Sequence, residues 1–269
     1  MKIKIKNFKK AQMGKITVMI IIIVAGILVM AVVGYFMIFA KSLSDTEACR
    51  LSALAKANAR VTKAFESVLN LNCETDNIKV YPDKITKNSK DFVVLVDKRK
   101  DDQIKRVFAD ELYDCWYQLG AGNFDLFGNY QGGDLHCVIC AYVDFDATFS
   151  EKQAKIENFN QYLSKRIPGS NQSYALYLVN GDKDAAEQIN KTKLDLFTKK
   201  SYAIVYVAEK EDLKAETGVF SLLQGTGGAG IGAFILYSHL VNKGDSQKKL
   251  GVNIVSIEKV GELCEIMYG

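Results

Sequence analysis

The sequence predicts an α/β or α+β exported domain with an N-terminal transmembrane helix, for which a helical stalk is the candidate continuation. Three observations predict it. Residues 16–40 form a charge-free apolar run behind a lysine-rich leader, the chain beyond alternates helical and strand periodicity, and all six cysteines lie after the run. The expected organisation is a basic cytoplasmic leader over 1–15, a transmembrane helix over 16–40, a helical stalk over 41–74 and a disulfide-containing α/β domain over 75–269.

Lys2, Lys4, Lys6, Lys9, Lys10 and Lys15 precede the run with no acidic residue among them. The run itself, ITVMIIIIVAGILVMAVVGYFMIFA, holds 25 residues. At about 1.5 Å per residue a helix of that length crosses a hydrocarbon core of roughly 30 Å with tilt to spare. Only Lys41 follows closely before Asp45 and Glu47, so the lysine asymmetry keeps the N-terminus in the cytoplasm and exports the body. The run exceeds an ordinary signal core and ends in no small-x-small site, which favours retention over cleavage. The localisation expected is therefore single-pass in a membrane, with the bilayer as one partner and other envelope or surface proteins as the rest. The formal net charge is +4, and without the six leader lysines the remainder is slightly acidic. Such a body offers no basic patch for phosphates, so nucleic acid is excluded as a partner.

Export agrees with the cysteines. Cys49, Cys73, Cys115, Cys137, Cys140 and Cys264 make an even set beyond the run, as disulfides in an oxidising compartment require. Two sequons, at Asn171 and Asn190, are candidate glycosylation sites. Connectivity stays open, although periodicity constrains it. Residues 46–72 read as one helix, with Leu51, Leu54, Val61, Phe65 and Val68 at helical spacings. An unbroken helix sets Cys49 and Cys73 roughly 36 Å apart and forbids their pairing.

The body's elements follow in order. Residues 92–96, FVVLV, read as a strand. Residues 101–119 read as a helix with Ile104, Phe108, Leu112 and Cys115 on a core stripe, Asp101 or Asp102 as its cap and Gly120 at its end. The loop 120–134 carries five glycines with Phe124, Phe127 and Tyr130, either a recognition surface or a flap folded on the core. Residues 135–145 alternate as a strand that contains His136-Cys137-Val138-Ile139-Cys140. A redox CxxC opens a helix, whose dipole lowers the thiol pKa. On a strand, residues three apart point to opposite faces, so Cys137 and Cys140 are expected to bond two different cysteines, Cys137 from the apolar face and Cys140 from the more polar one. Residues 150–166 read as a helix, 174–179 as an ambiguous apolar stretch, 183–196 as a helix, 201–208 as a strand, 253–257 as a short strand and 260–268 as a closing helix carrying Cys264.

Other chemistries find fewer of their residues in the sequence. His136, Cys137 and Cys140 fall one ligand short of a zinc site, and His239 is the only other histidine. No G-x-S-x-G elbow exists, so no catalytic residue, metal or cofactor is expected. Gly225, Gly227 and Gly230 spell G-x-G-x-x-G, but without the preceding strand of a dinucleotide site. The uncharged segment 218–241 is either a second membrane helix, with Gly228 and Gly232 for close packing, or a Gly-rich loop leading into a partly buried helix over 231–241.

Two resemblances add to these readings. Cys115-Trp116 with Gly120-Ala121-Gly122, then Cys137-Val138-Ile139-Cys140 before an alternating strand, resembles uncharacterised archaeal membrane-anchored proteins with a cysteine-rich exported domain. That likeness covers residues 45–208 and implies location and disulfides, with no catalytic residue. The leader stretch KKAQMGK resembles the processing site of type IV pilin-like proteins, which implies a mature start at Gln12, although Ile16 stands where that family places a Glu. The expected function is a non-enzymatic, membrane-anchored surface or envelope protein that makes protein contacts. The alternatives are a pilin-like filament subunit and a membrane-tethered thiol oxidoreductase.

Overall fold

The computed structural model describes residues 23–28, 30, 45–62, 71–123, 126–127, 135–211, 247–264 and 266–268. Contacts divide the chain into two units, Met1–Ser44 and Asp45–Gly269. In the first unit residues 23–28 and 30 are helical, with Ile23, Val24, Ile27, Leu28 and Met30 exposed. The expected transmembrane helix is corrected here. Among the described residues no helix is long and apolar enough to cross a membrane. Residues 23–28 rise only about 9 Å against the roughly 30 Å of a hydrocarbon core, and the rest of 16–40, apart from Met30, lies outside the described residues.

The second unit has an α+β fold built on a mixed sheet. It opens with helix α1 (Asp45–Thr62), followed by strands β1 (Asp76–Val80), β2 (Lys84–Lys87) and β3 (Lys90–Val94). After a 3-10 turn comes α2 (Lys100–Gln118), then β4 (Leu135–Phe145) and α3 (Ala147–Lys152). Short pieces follow: β5 (Lys155–Ile156), α4 (Phe159–Tyr162), α5 (Tyr174–Leu178), α6 (Lys183–Lys191) and β6 (Leu196–Phe197). The chain closes with β7 (Tyr202–Glu211), β8 (Gln247–Ser256), α7 (Ile257–Leu263) and β9 (Ile266–Tyr268). The main sheet has the order β3-β2-β1-β4-β7-β8, with β9 also on β4. Only the pairings of β4 with β1 and with β9 are parallel. Both lie along one side of β4, β9 at 136–138 and β1 at 141–145.

The sheet separates two cores. On one face α2 brings Ile104, Phe108, Leu112 and Trp116 against Val138, Val143, Tyr202 and Tyr206. Phe108 is the hub, with the rings of Phe145, Phe159 and Tyr202 centred 6.0–6.2 Å away. On the other face Ala203, Val205, Val207 and Val255 pack with Val260 of α7.

The expected stalk is folded onto this domain. The reading of 46–72 as one helix fails because residues 71–75 have no regular structure, and the return of the chain seats Leu71 and Cys73 against the core. Cys49 and Ala53 of α1 are fully buried, and Arg50 donates to the Tyr117 carbonyl at 2.8 Å. The helix expected over 150–166 is broken by Asn158, which sits at φ +55° and donates its N–H to Asp195. Its apolar positions Ile156, Phe159 and Leu163 are nonetheless buried. The expected cap by Asp101 or Asp102 is also corrected: Arg99 holds the N-cap position without a side-chain cap bond, and the two aspartates lie inside the first turn. The ambiguous stretch 174–179 is helical over Tyr174–Leu178, and the strand expected at 253–257 runs from Gln247 to Ser256. The closing helix over 260–268 becomes α7 plus β9, with Cys264 between them.

Candidate functional site

The six cysteines form three disulfides, Cys49–Cys73, Cys115–Cys140 and Cys137–Cys264. The Cys49–Cys73 bond is the pairing that an unbroken helix excluded; residues 71–75 are not helical, and the two Cα atoms lie 4.4 Å apart. Cys137 and Cys140 do bond different partners from opposite faces of β4, Cys137 in the core under α7 and Cys140 in the core under α2. The reading of Cys140 on the more polar face needs one correction. The register of β4 against β7 slips between Ile139 and Ala141, so Cys140 is the extra residue of a bulge and joins Ala141 in the α2 core. The Thr75 hydroxyl donates to the Ile139 carbonyl at 3.0 Å, satisfying the ladder at that slip. Five of the six cysteines are buried, Cys73 is partly buried, and neither CxxC cysteine opens a helix, so the strand supplies none of the dipole activation that thiol exchange uses.

A titratable cluster lies between α2 and the β1–β2 hairpin. Lys87 donates to Glu111 at 2.7 Å and pairs with Asp76 at 2.8 Å. The Glu111 side chain is only 5% exposed. Burial pushes its carboxyl up to about 7, against the pull of the Lys87 ammonium. Asp114, on the next turn, is pushed up to about 6 by burial, again opposed by Lys87. Burial also weighs on the Lys87 ammonium, but Glu111 and Asp76 outweigh it and hold its pKa above the ordinary value. The cluster can exchange a proton near neutrality and clamps the hairpin to α2. Among the described residues no group of His, Cys, Asp or Glu could hold a metal ion.

The outer surface has two features suited to contact. Strand β3 stands at the sheet edge with Phe92 49% and Val94 73% exposed, and Val96 just beyond it is 45% exposed. On α2 the rings of Tyr113 and Tyr117 stack at 6.1 Å, Tyr177 lies 4.6 Å from Tyr113, and the Arg50 guanidinium sits 4.0 Å over Tyr117.

The remaining expected positions scatter. His136 is buried in β4 with its ring 5.1 Å from that of Phe127, while His239 lies outside the described residues. From the aromatic loop Phe127 packs towards the core and Leu126 is buried; Phe124 and Tyr130 lie outside the described residues, as does 218–241 with its glycine motif. Asn171 is exposed in a bend, whereas Asn190 is half-buried on α6 with its amide oxygen inaccessible. The ionic cluster escaped the sequence reading, although Glu111 lies on the stripe of Ile104, Phe108 and Cys115, where a carboxylate is the anomaly that signals it. Compared with protein-family models, curated proteins and solved structures, the chain matches none, so its function rests on its own residues.

Proposed function

We propose that this chain is a non-enzymatic envelope or cell-surface protein whose disulfide-braced exported domain serves protein contacts. The observation that carries the reading is the complete pairing of the six cysteines, which ties α1 to the segment before β1, α2 to β4, and β4 to the chain just after α7. Buried bonds of this kind persist in oxidising compartments and are rare where glutathione keeps thiols reduced. The six-lysine leader ahead of an uncharged run supports export. Contact with other envelope proteins is supported by the apolar edge of β3, since an open strand edge recruits a further strand unless charge or cover blunts it.

The test uses the full chain in intact cells. A membrane-impermeant maleimide and an external protease are applied before and after reduction, and cross-linked peptides are mapped by mass spectrometry without reductant. The reading expects thiols that react only after reduction, the three bonds above, and cleavage by external protease. Free thiols in cells, or a body protected from protease until the envelope is opened, would overturn it.

A further inference from the structure

We infer that the hairpin half of the sheet, on the face away from α2, is a binding site for a neutral saccharide. The alternation of β1, β2 and β4 sends Ile78, Val80, Ile85 and Val143 into the core, so the interleaved residues point the other way. There they line a cleft of about 520 Å³ that includes Asn77, Lys79, Thr86, Tyr142 and Asp144, within the range of about 300–1,000 Å³ ordinary for small-ligand sites. The register arranges them in rows. Asp144 stands opposite Lys79, Lys79 opposite Thr86, and Tyr142 opposite Asn77. The corresponding face farther along the sheet is closed by α7 and the Cys137–Cys264 bond; among the described residues the hairpin half has no such cover.

The charges of the cleft select its ligand. Lys84 is held by Asp91 at 2.8 Å, and Lys79 lies 3.9 Å from Asp146 and 5.3 Å from the centre of the Tyr81 ring. Both cations are therefore answered within the protein, and Asp144 adds a negative charge, so a phosphate or carboxylate ligand gains little here. What stays available is the Asp144 carboxylate, the Asn77 amide, and the hydroxyls of Thr86 and Tyr142, none of which hydrogen-bonds a described side chain. A carboxylate and an amide accept from adjacent hydroxyls, and an aromatic ring offers an apolar surface with a polar tip. A pyranose presents those complements, hydroxyls around its rim and C–H bonds on its faces. A lipid chain would need a wall that is apolar throughout, whereas this lining mixes rings with charged and amide side chains.

The experiment is isothermal titration of the purified full chain with maltohexaose, cellohexaose, N-acetylchitohexaose and mannohexaose, beside inorganic phosphate. Saturable binding of at least one sugar is expected at up to millimolar concentration, weakened about tenfold or more by Asp144→Asn, as loss of a charged acceptor implies. Tyr142→Ala is expected to weaken it comparably, and Asp144→Asn, at an exposed site, keeps the test decisive if Tyr142→Ala does not fold. Absence of binding to all four sugars, binding that survives Asp144→Asn, or phosphate binding in preference to sugar would overturn the inference. Each of these results leaves the disulfide pairing and the export reading untouched.

Discussion

Gly122 sits at φ +75°, and a Cβ placed there would lie 3.0 Å from both the Asn180 amide nitrogen and the Trp116 ring. Trp116 is fully buried and cannot yield cheaply, whereas the exposed Asn180 side chain can turn away. Gly122→Ala is therefore expected to cost about 2–3 kcal/mol, combining backbone strain with overpacking, read as a lowered denaturation midpoint. Two residues earlier, Gly120 ends α2 as its sequence position suggested: its N–H bonds the Tyr117 carbonyl while the Ala121 N–H reaches back to the Trp116 carbonyl. That glycine was legible because helix ends have a local signature; the packing role of Gly122 was not, because Asn180 arrives from a distant segment. Glu111 supplies the second prediction at this scale. Its folded pKa of about 7 exceeds its ordinary 4.5, so the folded state binds the proton more tightly. Stability should then be greatest near pH 4.5 and fall as pH rises to 7, by on the order of 3 kcal/mol, flattening above. Asp114 adds a fall of the same sign from about 4 to about 6. Glu111→Gln should remove most of the slope in the upper half of that window, which denaturation across pH measures directly.

Among the elements, β4 does the most. Cys137 and Cys140, three residues apart, feed disulfides to both faces, and the bulge then turns Ala141 to the same side as Cys140. Cys137–Cys264 closes a span of 127 residues and Cys115–Cys140 one of 25. On the chain-entropy account their removal should cost about 5 and about 3.5 kcal/mol respectively. Paired Cys→Ala variants compared by urea denaturation should keep that order; the reverse order would show that local packing outweighs chain closure. The helices at 46–72 and 150–166 show why periodicity misread elements while finding the core. Cys49, Ile156, Phe159 and Leu163 are buried as their spacing implied. Spacing, however, does not register a left-handed Asn158 held by Asp195, nor a return of the chain that brings Cys73 to Cys49.

For the whole molecule, the exposed β3 edge and the buried ionic clamp make separable demands. Val94→Lys introduces charge at a position 73% exposed, so stability should change by no more than about 0.5 kcal/mol. If the edge recruits a partner strand, the same change should abolish co-purification of cross-linked envelope proteins from cells. Unchanged capture would assign the contact to another surface, such as the tyrosine group around Tyr113. The disulfides and the edge thus divide the domain into a braced interior and an open side, and each prediction addresses one of them.

The sequence by itself determined the helix of α2, the strands β4 and β7, the opposed directions of Cys137 and Cys140 and the burial of Cys115, because periodicity and turn chemistry are local properties. It also set the compartment expected of six cysteines placed beyond a lysine leader. The tertiary structure decided the α+β arrangement, the Cys49–Cys73 bond, the absence of a membrane-crossing helix among the described residues, and the meeting of Lys87 with Glu111. Those depend on which distant segments pack together. The hairpin of β1 and β2 carries the ionic clamp and two walls of the sugar cleft; its strands of five and four residues hold too few periods for alternation to stand out. Only the pairing of β1 with β2 on one side and β4 on the other turns Asn77, Lys79 and Thr86 into neighbours of Tyr142 and Asp144.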